Sequence, residues 1–174
     1  MDENVHEAAQ NEAMDYEAIQ EQRNDELISL LDSRSMRTLK QRMEEMNEFD
    51  VAEFLSGIED NRMPMVFRLL SKETAADVFA NFDAPDQERI INSMTDSELA
   101  GIIEELYVDD AVDMMEELPA NVVKRVMRTA TPQTRALINQ YLHYPEDSAG
   151  SIMTSEFVDL KKYMSVKESF ARIR

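Results

Sequence analysis

An apolar pattern that repeats every 24 residues runs through most of this sequence. One column of the repeat is Leu27, Val51, Ala75, Leu99 and Val123, and the next is Leu30, Phe54, Val78, Ile102 and Val126. A unit of this length holds two short helices, and such a pair cannot bury its apolar stripe alone, so neighbouring units must stack. The repeat therefore predicts an all-α fold, a superhelical solenoid of short helix pairs with a period of about 24 residues.

Helix start signals agree with the repeat. Thr74 precedes an "AAD" element, Thr95 stands three residues before Glu98, and Thr131 precedes Pro132. These patterns are typical of helix N-caps, of capping boxes and of proline at the first helical position. We therefore predict helices that begin close to each of the three threonines.

The methionines fit the same helical repeat. The sequence has 13 of them, and eight are interspersed among the apolar columns: Met43, Met46, Met63, Met65, Met94, Met114, Met115 and Met127. An unbranched thioether side chain fills irregular gaps between short helices. We interpret these methionines as core residues rather than as a methionine-rich binding groove.

Composition excludes several classes of function. The 36 acidic and 18 basic residues give a net charge of −18, which opposes binding to nucleic acid or to anionic lipid. Cysteine is absent and the two histidines lie far apart, so thiolate and histidine metal sites are not expected. There is no apolar run of membrane-spanning length, no glycine-rich phosphate loop and no nucleophile elbow, so we expect neither membrane insertion by this chain nor an enzyme.

The most acidic stretch is "EELYVDDAVDMMEELP", Glu104 to Pro119, with seven carboxylates and no base. On a helical wheel, its apolar residues fall on one side. Asp109, Asp113 and Glu116 share the other side, with Asp110 and Glu117 at its edge. The pattern fits either a solvated acidic face or a face that holds a cation.

The residue types restrict which cation such a face could hold. Mg²⁺ prefers oxygen ligands, keeps several waters and is usually bound by one or two carboxylates, so Asp109 with Asp113 could form half a site. Ca²⁺ would normally require an EF-hand loop, which the sequence lacks, and softer metals would require cysteines or paired histidines. Weak Mg²⁺ binding is the metal chemistry that these residues favour.

The C-terminal part resembles a known family. "YPEDSAGSIMTSEFVDL", Tyr144 to Leu160, is similar to the junction between the helical N domain and the cystathionine-β-synthase-type (CBS) domains of MgtE magnesium channels. The following "MSVKESFARIR" looks like the first CBS helix, with Ser165 and Glu168 as a capping box. The similarity extends back through the acidic stretch to about Leu27.

The resemblance implies a domain organisation and a role. The acidic, apolar-poor composition of the first residues predicts a flexible N-terminus at 1–23. The resemblance implies an MgtE-type helical N domain at 24–142, and a junction with the incomplete start of the first CBS domain, a strand and a helix, at 143–174. In the family the N domain is a regulator on the cytoplasmic side of the membrane within a homodimeric channel. Mg²⁺ bridges its acids to those of the CBS domains and the connecting helix, and the pore closes.

The family's metal ligands can be carried over to three positions. They fall on Asp109 and Asp113, and a family glutamate falls on Asp77, whose shorter side chain is a departure from the pattern. Asp110 and Glu116 are neighbours that add to the negative field. Mg²⁺ is the implied ion for all of these residues.

The leading alternative belongs to a different class of protein. A helical-repeat interaction scaffold, similar to the helical domains of flagellar motor switch proteins, would share the general build without sensing an ion. Such a protein would not be expected to carry the "PEDSAGSIMT" junction. The junction therefore favours the magnesium-channel interpretation.

Overall fold

The computed structural model describes residues 19–145, 148–154 and 156–173, and every described element of regular structure is a helix. The predicted flexible segment 1–23 falls largely outside these residues. Helical backbone covers 19–32 (α1). The helices that follow are α2 (Met36–Glu44), α3 (Glu48–Gly57), α4 (Met63–Phe67), α5 (Lys72–Ala80), α6 (Ala84–Ser93), α7 (Asp96–Ile103), α8 (Val108–Glu117), α9 (Ala120–Thr129), α10 (Pro132–Tyr141) and α11 (Val166–Ile173).

Helix starts confirm the 24-residue period. The first helices of successive repeats, α3, α5, α7 and α9, begin at residues 48, 72, 96 and 120. The second helices, α6, α8 and α10, begin at 84, 108 and 132, whereas α4 begins at 63, after a longer turn. Each unit of the repeat is therefore a pair of short helices, as the apolar columns predict.

The chain divides into two compact units, residues 1–82 and 83–174. In the first unit α3 packs against α4 and α5; in the second, α7 packs against α9, and α8 packs against both α6 and α10. Within each of the two compact parts of the chain, the first helices of consecutive repeats are thus in contact, and in residues 83–174 the second helices are as well. This is the stacking that a short amphipathic helix pair requires.

The apolar columns form the cores of the two units. Val51, Ala75 and Leu99 are buried in the first column, although Val123 is only half-buried. In the first unit Phe67, Phe79 and Phe82 form an aromatic cluster with ring centroids 5.9 to 6.5 Å apart. Tilted and edge-to-face pairs of this kind are favourable beyond their buried area.

Helices begin close to all three threonines, but only two of the threonines are caps. Thr95 and Glu98 form a complete capping box, and Thr131 accepts a hydrogen bond from the backbone N–H of Thr134. Thr74, however, lies inside α5, whose N-cap is Ser71. The Ser71 side chain accepts a hydrogen bond from the N–H of Thr74, so a serine three residues earlier supplies the cap chemistry.

Most of the methionines predicted to lie in the core do so. Met43, Met63, Met94, Met114 and Met115 are buried, and Met46 and Met127 are half-buried. Met65 is an exception, because 46% of its surface is exposed. It follows Pro64 in the single-turn helix α4, which is too short to bury all of its apolar residues.

The C-terminal part contains the expected helix but not the expected strand. Residues 156–160 have no regular structure in the described part of the chain, because a strand forms only when another strand accepts its backbone hydrogen bonds. Ser165 and Glu168 form the predicted capping box before α11. The apolar side chains Val166, Phe170 and Ile173 on this helix are exposed.

None of the helices in the described residues is both long and apolar enough to span a bilayer.

Candidate functional site

The candidate site is built on α8, a strongly amphipathic helix. Its buried side consists of Val108, Ala111, Val112, Met114 and Met115, which pack toward α6 and α10. This arrangement directs the acidic side of α8 away from the core. Asp109 is half-buried, whereas Asp113 and Glu116 are exposed.

A cleft of about 440 Å³ lies along this acidic side, within the unit of residues 83–174. The α8 wall consists of Asp109, Val112, Asp113 and Glu116, and the opposite walls consist of Tyr141, Tyr144, Ser151 and Ile152. Two structural elements therefore complete the cleft, namely the end of α10 and the junction segment that follows it. We call it the α8 cleft.

Two buried polar atoms of the residues that line the α8 cleft have no hydrogen-bond partner. They are Oδ1 of Asp109 and the hydroxyl oxygen of Tyr141. Tyr141 is 5% exposed, and its ring packs edge-to-face on that of Tyr144. A buried polar group without a partner typically costs about 1–3 kcal/mol, so the structure leaves two acceptors available for a donor or a cation.

Four of the five acids of α8 make no ion pair with a described residue. Among the residues that the structure describes, no ion pair involves Asp109, Asp113, Glu116 or Glu117. The sequence places Asp113 four residues from Asp109 and from Glu117 and three from Glu116, so like charges are neighbours along one helix face. These four acids therefore repel one another, and no ion pair of their own among the described residues relieves that repulsion.

On α7, the helix before α8, the first acidic residue is paired with bases. Asp96, at the start of α7, is paired with Arg125 and Arg128 of α9 at 3.0 and 3.1 Å. Hydrogen bonds from Arg125, and the two nearby positive charges, lower the pKa of the Asp96 carboxyl. Asp96 at the start of α7 is thus neutralised by two bases, whereas Asp109, Asp113, Glu116 and Glu117 of α8 have no ion pair among the described residues.

The N-terminus of α8 has a cap that comes from distant sequence. Its N-cap residue, Tyr107, makes no side-chain cap hydrogen bond. Instead the N–H of Val108 donates to Oε2 of Glu156 at 3.1 Å, across 48 residues of chain. The junction segment is therefore attached to the acidic helix by a carboxylate that compensates for the missing cap.

Asp77 lies in the other unit, on α5, and has acidic neighbours of its own. Burial raises the pKa of the Asp77 carboxyl, and the charges of Glu48 and Glu73 raise it further. Asn81 donates to the backbone carbonyl of Asp77 and leaves the carboxylate unengaged. Glu48, Glu73 and Asp77 thus form a second acidic group.

Of the five residues predicted from the sequence, the structure brings Asp109, Asp113 and Glu116 together in one cleft wall. Asp110, although on the same helix, does not line the cleft, and Asp77 lies in the other unit. The metal-binding roles of all five stay predictions.

Sequence reasoning missed Glu48, Glu73, Tyr141 and Glu156. The spacing of Glu73 to Asp77 on one helix could have revealed Glu73. The absence of a capping residue before α8 was a signal that some other group must satisfy its N-terminus. Nothing in the sequence indicated that Glu156 would be that group, since the contact depends on tertiary structure.

The donor set fits part of a magnesium site. Among the described residues, no group of three or more acidic or histidine side chains could hold a metal ion by itself. Mg²⁺, however, is usually held by one or two carboxylates and keeps several waters. Asp109 and Asp113 therefore fit a site that other oxygen ligands complete, and a closed metal centre is not present in the described part.

Comparison with known sequences identifies relatives. The model of the MgtE intracellular N domain matches residues 46–147, more than half of the chain. The chain is 28% identical over 152 residues to the magnesium transporter MgtE of Thermus thermophilus and 19% identical over 148 residues to that of Bacillus subtilis. Each alignment covers 85% of this chain, and the chain spans about a third of each relative, 34% and 33%.

Solved structures agree with the sequence comparison. The soluble part of a magnesium transporter superposes with a TM-score of 0.78 at 21% identity, over 88% of this chain and 61% of that one, and supports the fold alone. The cytosolic domain of the Mg²⁺ channel MgtE, in complex with ATP, superposes with a TM-score of 0.70 at 28% identity, over 85% and 61%. With the family model matched over most of the helical repeat, the chain belongs to the MgtE family and carries its intracellular N domain.

Proposed function

We propose that this chain is the magnesium-sensing regulatory part of an MgtE-type magnesium channel, positioned on the cytoplasmic side of the cell membrane. The observation that carries the proposal is the acidic face of α8, where Asp109 and Asp113 have no ion pair among the described residues. The matched relatives are named as magnesium transporters and as an Mg²⁺ channel, which supports Mg²⁺ as the ion. No catalytic step is part of this function.

The mechanism follows from electrostatics. Two carboxylates about 6 Å apart repel by roughly 0.7 to 3 kcal/mol at effective dielectric constants between about 80 and 20. A face that stays negative within its own domain therefore repels a second acidic surface. A divalent ion between the two surfaces changes the repulsion into attraction.

The second surface would be the acids of the CBS domains and the connecting helix in the homodimeric channel. Asp109 and Asp113 would supply part of the ligand set, Asp77 would contribute from its own acidic group, and Asp110 and Glu116 would strengthen the field. High Mg²⁺ would favour the docked state and pore closure. Low Mg²⁺ would release the domain, because the two states differ in ion affinity.

The direct test is small-angle X-ray scattering on a protein extended through both CBS domains. It is titrated with MgCl2 and, separately, with KCl at matched ionic strength, for the wild type and for Asp109→Asn with Asp113→Asn. Compaction that is specific to Mg²⁺, and weaker in the double variant, is expected.

The matched control is Glu21→Gln with Asp25→Asn. These exposed residues of α1 have the same four-residue spacing, and their substitution removes the same number of charges. This control should compact like the wild type. Equal responses to MgCl2 and KCl, or a loss of compaction that is the same in both double variants, would instead favour a helical interaction scaffold with no ion role.

A further inference from the structure

The α8 cleft has a composition that a hydrated metal ion does not require. Beside its three carboxylates it contains two tyrosine rings and the apolar side chains Val112 and Ile152. Its volume of about 440 Å³ is that of a small-molecule pocket. Carboxylates combined with aromatic and apolar side chains suit an organic cation.

Tyr141 is the second observation that points to a ligand. It is 95% buried, yet its hydroxyl has no hydrogen-bond partner, and neither has the buried Oδ1 of Asp109 in the facing wall. The carboxylate oxygen accepts hydrogen bonds, and the hydroxyl can both accept and donate. Both can be satisfied at once by a ligand that carries several N–H donors.

The ring of Tyr144 is held in place by its own contacts. It packs against the ring of Tyr141, with centroids 5.8 Å apart, and against the backbone of Gly150. A Cβ atom at residue 150 would overlap the Tyr144 ring, so glycine is required there. The aromatic part of the cleft is therefore fixed by the junction segment.

We propose that the α8 cleft binds a linear aliphatic polyamine. Its ammonium groups would pair with Asp109, Asp113 and Glu116 and donate to the free oxygens of Asp109 and Tyr141. Its methylene groups would lie against Val112 and Ile152, as the stems of long cationic side chains do on apolar surfaces. Asp109 and Tyr141 both line the cleft, so a ligand there lies beside the two side chains that carry the unpartnered oxygens.

This site goes beyond the proposed function and does not depend on it. The cleft lies within one unit and needs no acid from a CBS domain or connecting helix. It shares Asp109 and Asp113 with the proposed magnesium face, so polyamine and Mg²⁺ would compete. The inference thus adds a second class of cation to the same helix.

Isothermal titration calorimetry of the 174-residue chain with spermidine tests the proposal, at fixed ionic strength and without Mg²⁺. We expect saturable binding of one molecule per chain. Tyr141→Phe removes only the hydroxyl oxygen, and Glu116→Gln removes one charge, and each should weaken binding about tenfold, which corresponds to 1.4 kcal/mol. The control Glu21→Gln with Asp25→Asn should bind like the wild type.

Three outcomes would overturn the proposal. A heat signal that does not saturate, or equal weakening in the cleft variants and in the α1 control, would mean attraction to the overall negative charge only. Unchanged affinity in Tyr141→Phe would exclude the cleft as the binding site. Because this titration contains no Mg²⁺ and no CBS domains, its failure leaves the scattering test of the proposed function unaffected, and the reverse also holds.

Discussion

Asp50 of α3 and Asp109 of α8 both lie in the first turn of a repeat helix, but their surroundings differ. Asp50 is buried and accepts hydrogen bonds from Arg23 at 2.7 Å, from Gln20 at 3.2 Å and from Asn47 at 3.0 Å. Asp109 has a buried oxygen with no hydrogen-bond partner. An aspartate in the first turn of a helix is therefore hydrogen-bonded and neutralised on α3, whereas on α8 one of its oxygens has no hydrogen-bond partner.

The difference shows how the protein distributes its bases. It has 18 basic residues for 36 acidic ones, so many acids must stay without a partner. Bases pair with one aspartate each on α3, α6 and α7, namely Asp50, Asp86 and Asp96. On α8, by contrast, Asp109, Asp113 and Glu116 line one cleft and make no ion pair among the described residues.

The largest expected effect comes from breaking the neutralised site. Asp50→Ala leaves the partly exposed guanidinium of Arg23 without its carboxylate, and losing a hydrogen bond between charged groups costs about 2 kcal/mol. For a chain of this size that lowers Tm by roughly 4–8 °C. Thermal unfolding followed by circular dichroism measures it, with the exposed Glu53→Ala on the same helix as control. An unchanged Tm in Asp50→Ala would remove the contrast with α8.

On α8 we expect the removal of a carboxylate to stabilise the protein rather than to destabilise it. Asp113→Asn relieves repulsion with Asp109, Glu116 and Glu117, each worth about 0.2–0.5 kcal/mol, so the variant should be about 1 kcal/mol more stable at low salt. The gain should disappear at high salt because these charges are exposed and screened. Urea unfolding at two salt concentrations measures it, and destabilisation at low salt would show that Asp113 has a stabilising partner.

Glu156→Gln tests the long-range cap of α8. The neutral side chain accepts a weaker hydrogen bond from Val108 and no longer complements the helix dipole, which is worth about 0.3–1 kcal/mol at a helix N-terminus. We expect faster hydrogen exchange at the Val108 amide and little change at the capped N-terminus of α7. Unchanged exchange at Val108 would mean that the cap does not hold in solution.

The smallest effect is expected at Asp77, and it depends on pH. Burial and the charges of Glu48 and Glu73 raise its pKa above the ordinary value of 3.8, so the folded state disfavours the ionised form. Its contribution to stability is therefore present below that ordinary value and is lost as pH rises through the raised pKa.

Asp77→Asn should accordingly be more stable than the wild type at neutral pH, with an advantage that vanishes in acid. The pH dependence of stability expected from Asp50 runs in the opposite direction. Burial opposes ionisation there, but the hydrogen bonds from Arg23 and Gln20 prevail and lower its pKa. Its stabilisation is present above the ordinary value and is lost as pH falls through the lowered pKa. Chemical unfolding between about pH 3 and 7 measures both trends.

Much of the fold could be predicted from the sequence, because a repeat supplies the same apolar signal several times. The period of 24 residues, the capping box at Thr95 and the cap at Thr131 all depend on local spacing. Thr74 was assigned wrongly because Ser71 and Thr74 carry equivalent cap chemistry three residues apart. The strand expected at 156–160 depends on partner strands and could not be judged from its own residues.

The candidate site was only partly predictable. Helical spacing grouped Asp109, Asp113 and Glu116 correctly, since all three lie on one helix face. The partnerless hydroxyl of Tyr141 and the cap by Glu156 arise where α10 and the junction segment meet α8. Contacts between elements far apart in sequence leave no periodic signal.

The most direct test of the central claim is to follow the side-chain carboxyl ¹³C resonances of the whole chain by NMR while MgCl2 replaces KCl at constant ionic strength. The account predicts saturable shifts that are largest at Asp109, Asp113 and Glu116, with little change at Asp50 and Asp96, whose negative charges are already neutralised. Shifts of similar size at all carboxylates, or none at α8, would contradict the proposal that Asp109, Asp113 and Glu116 respond to Mg²⁺.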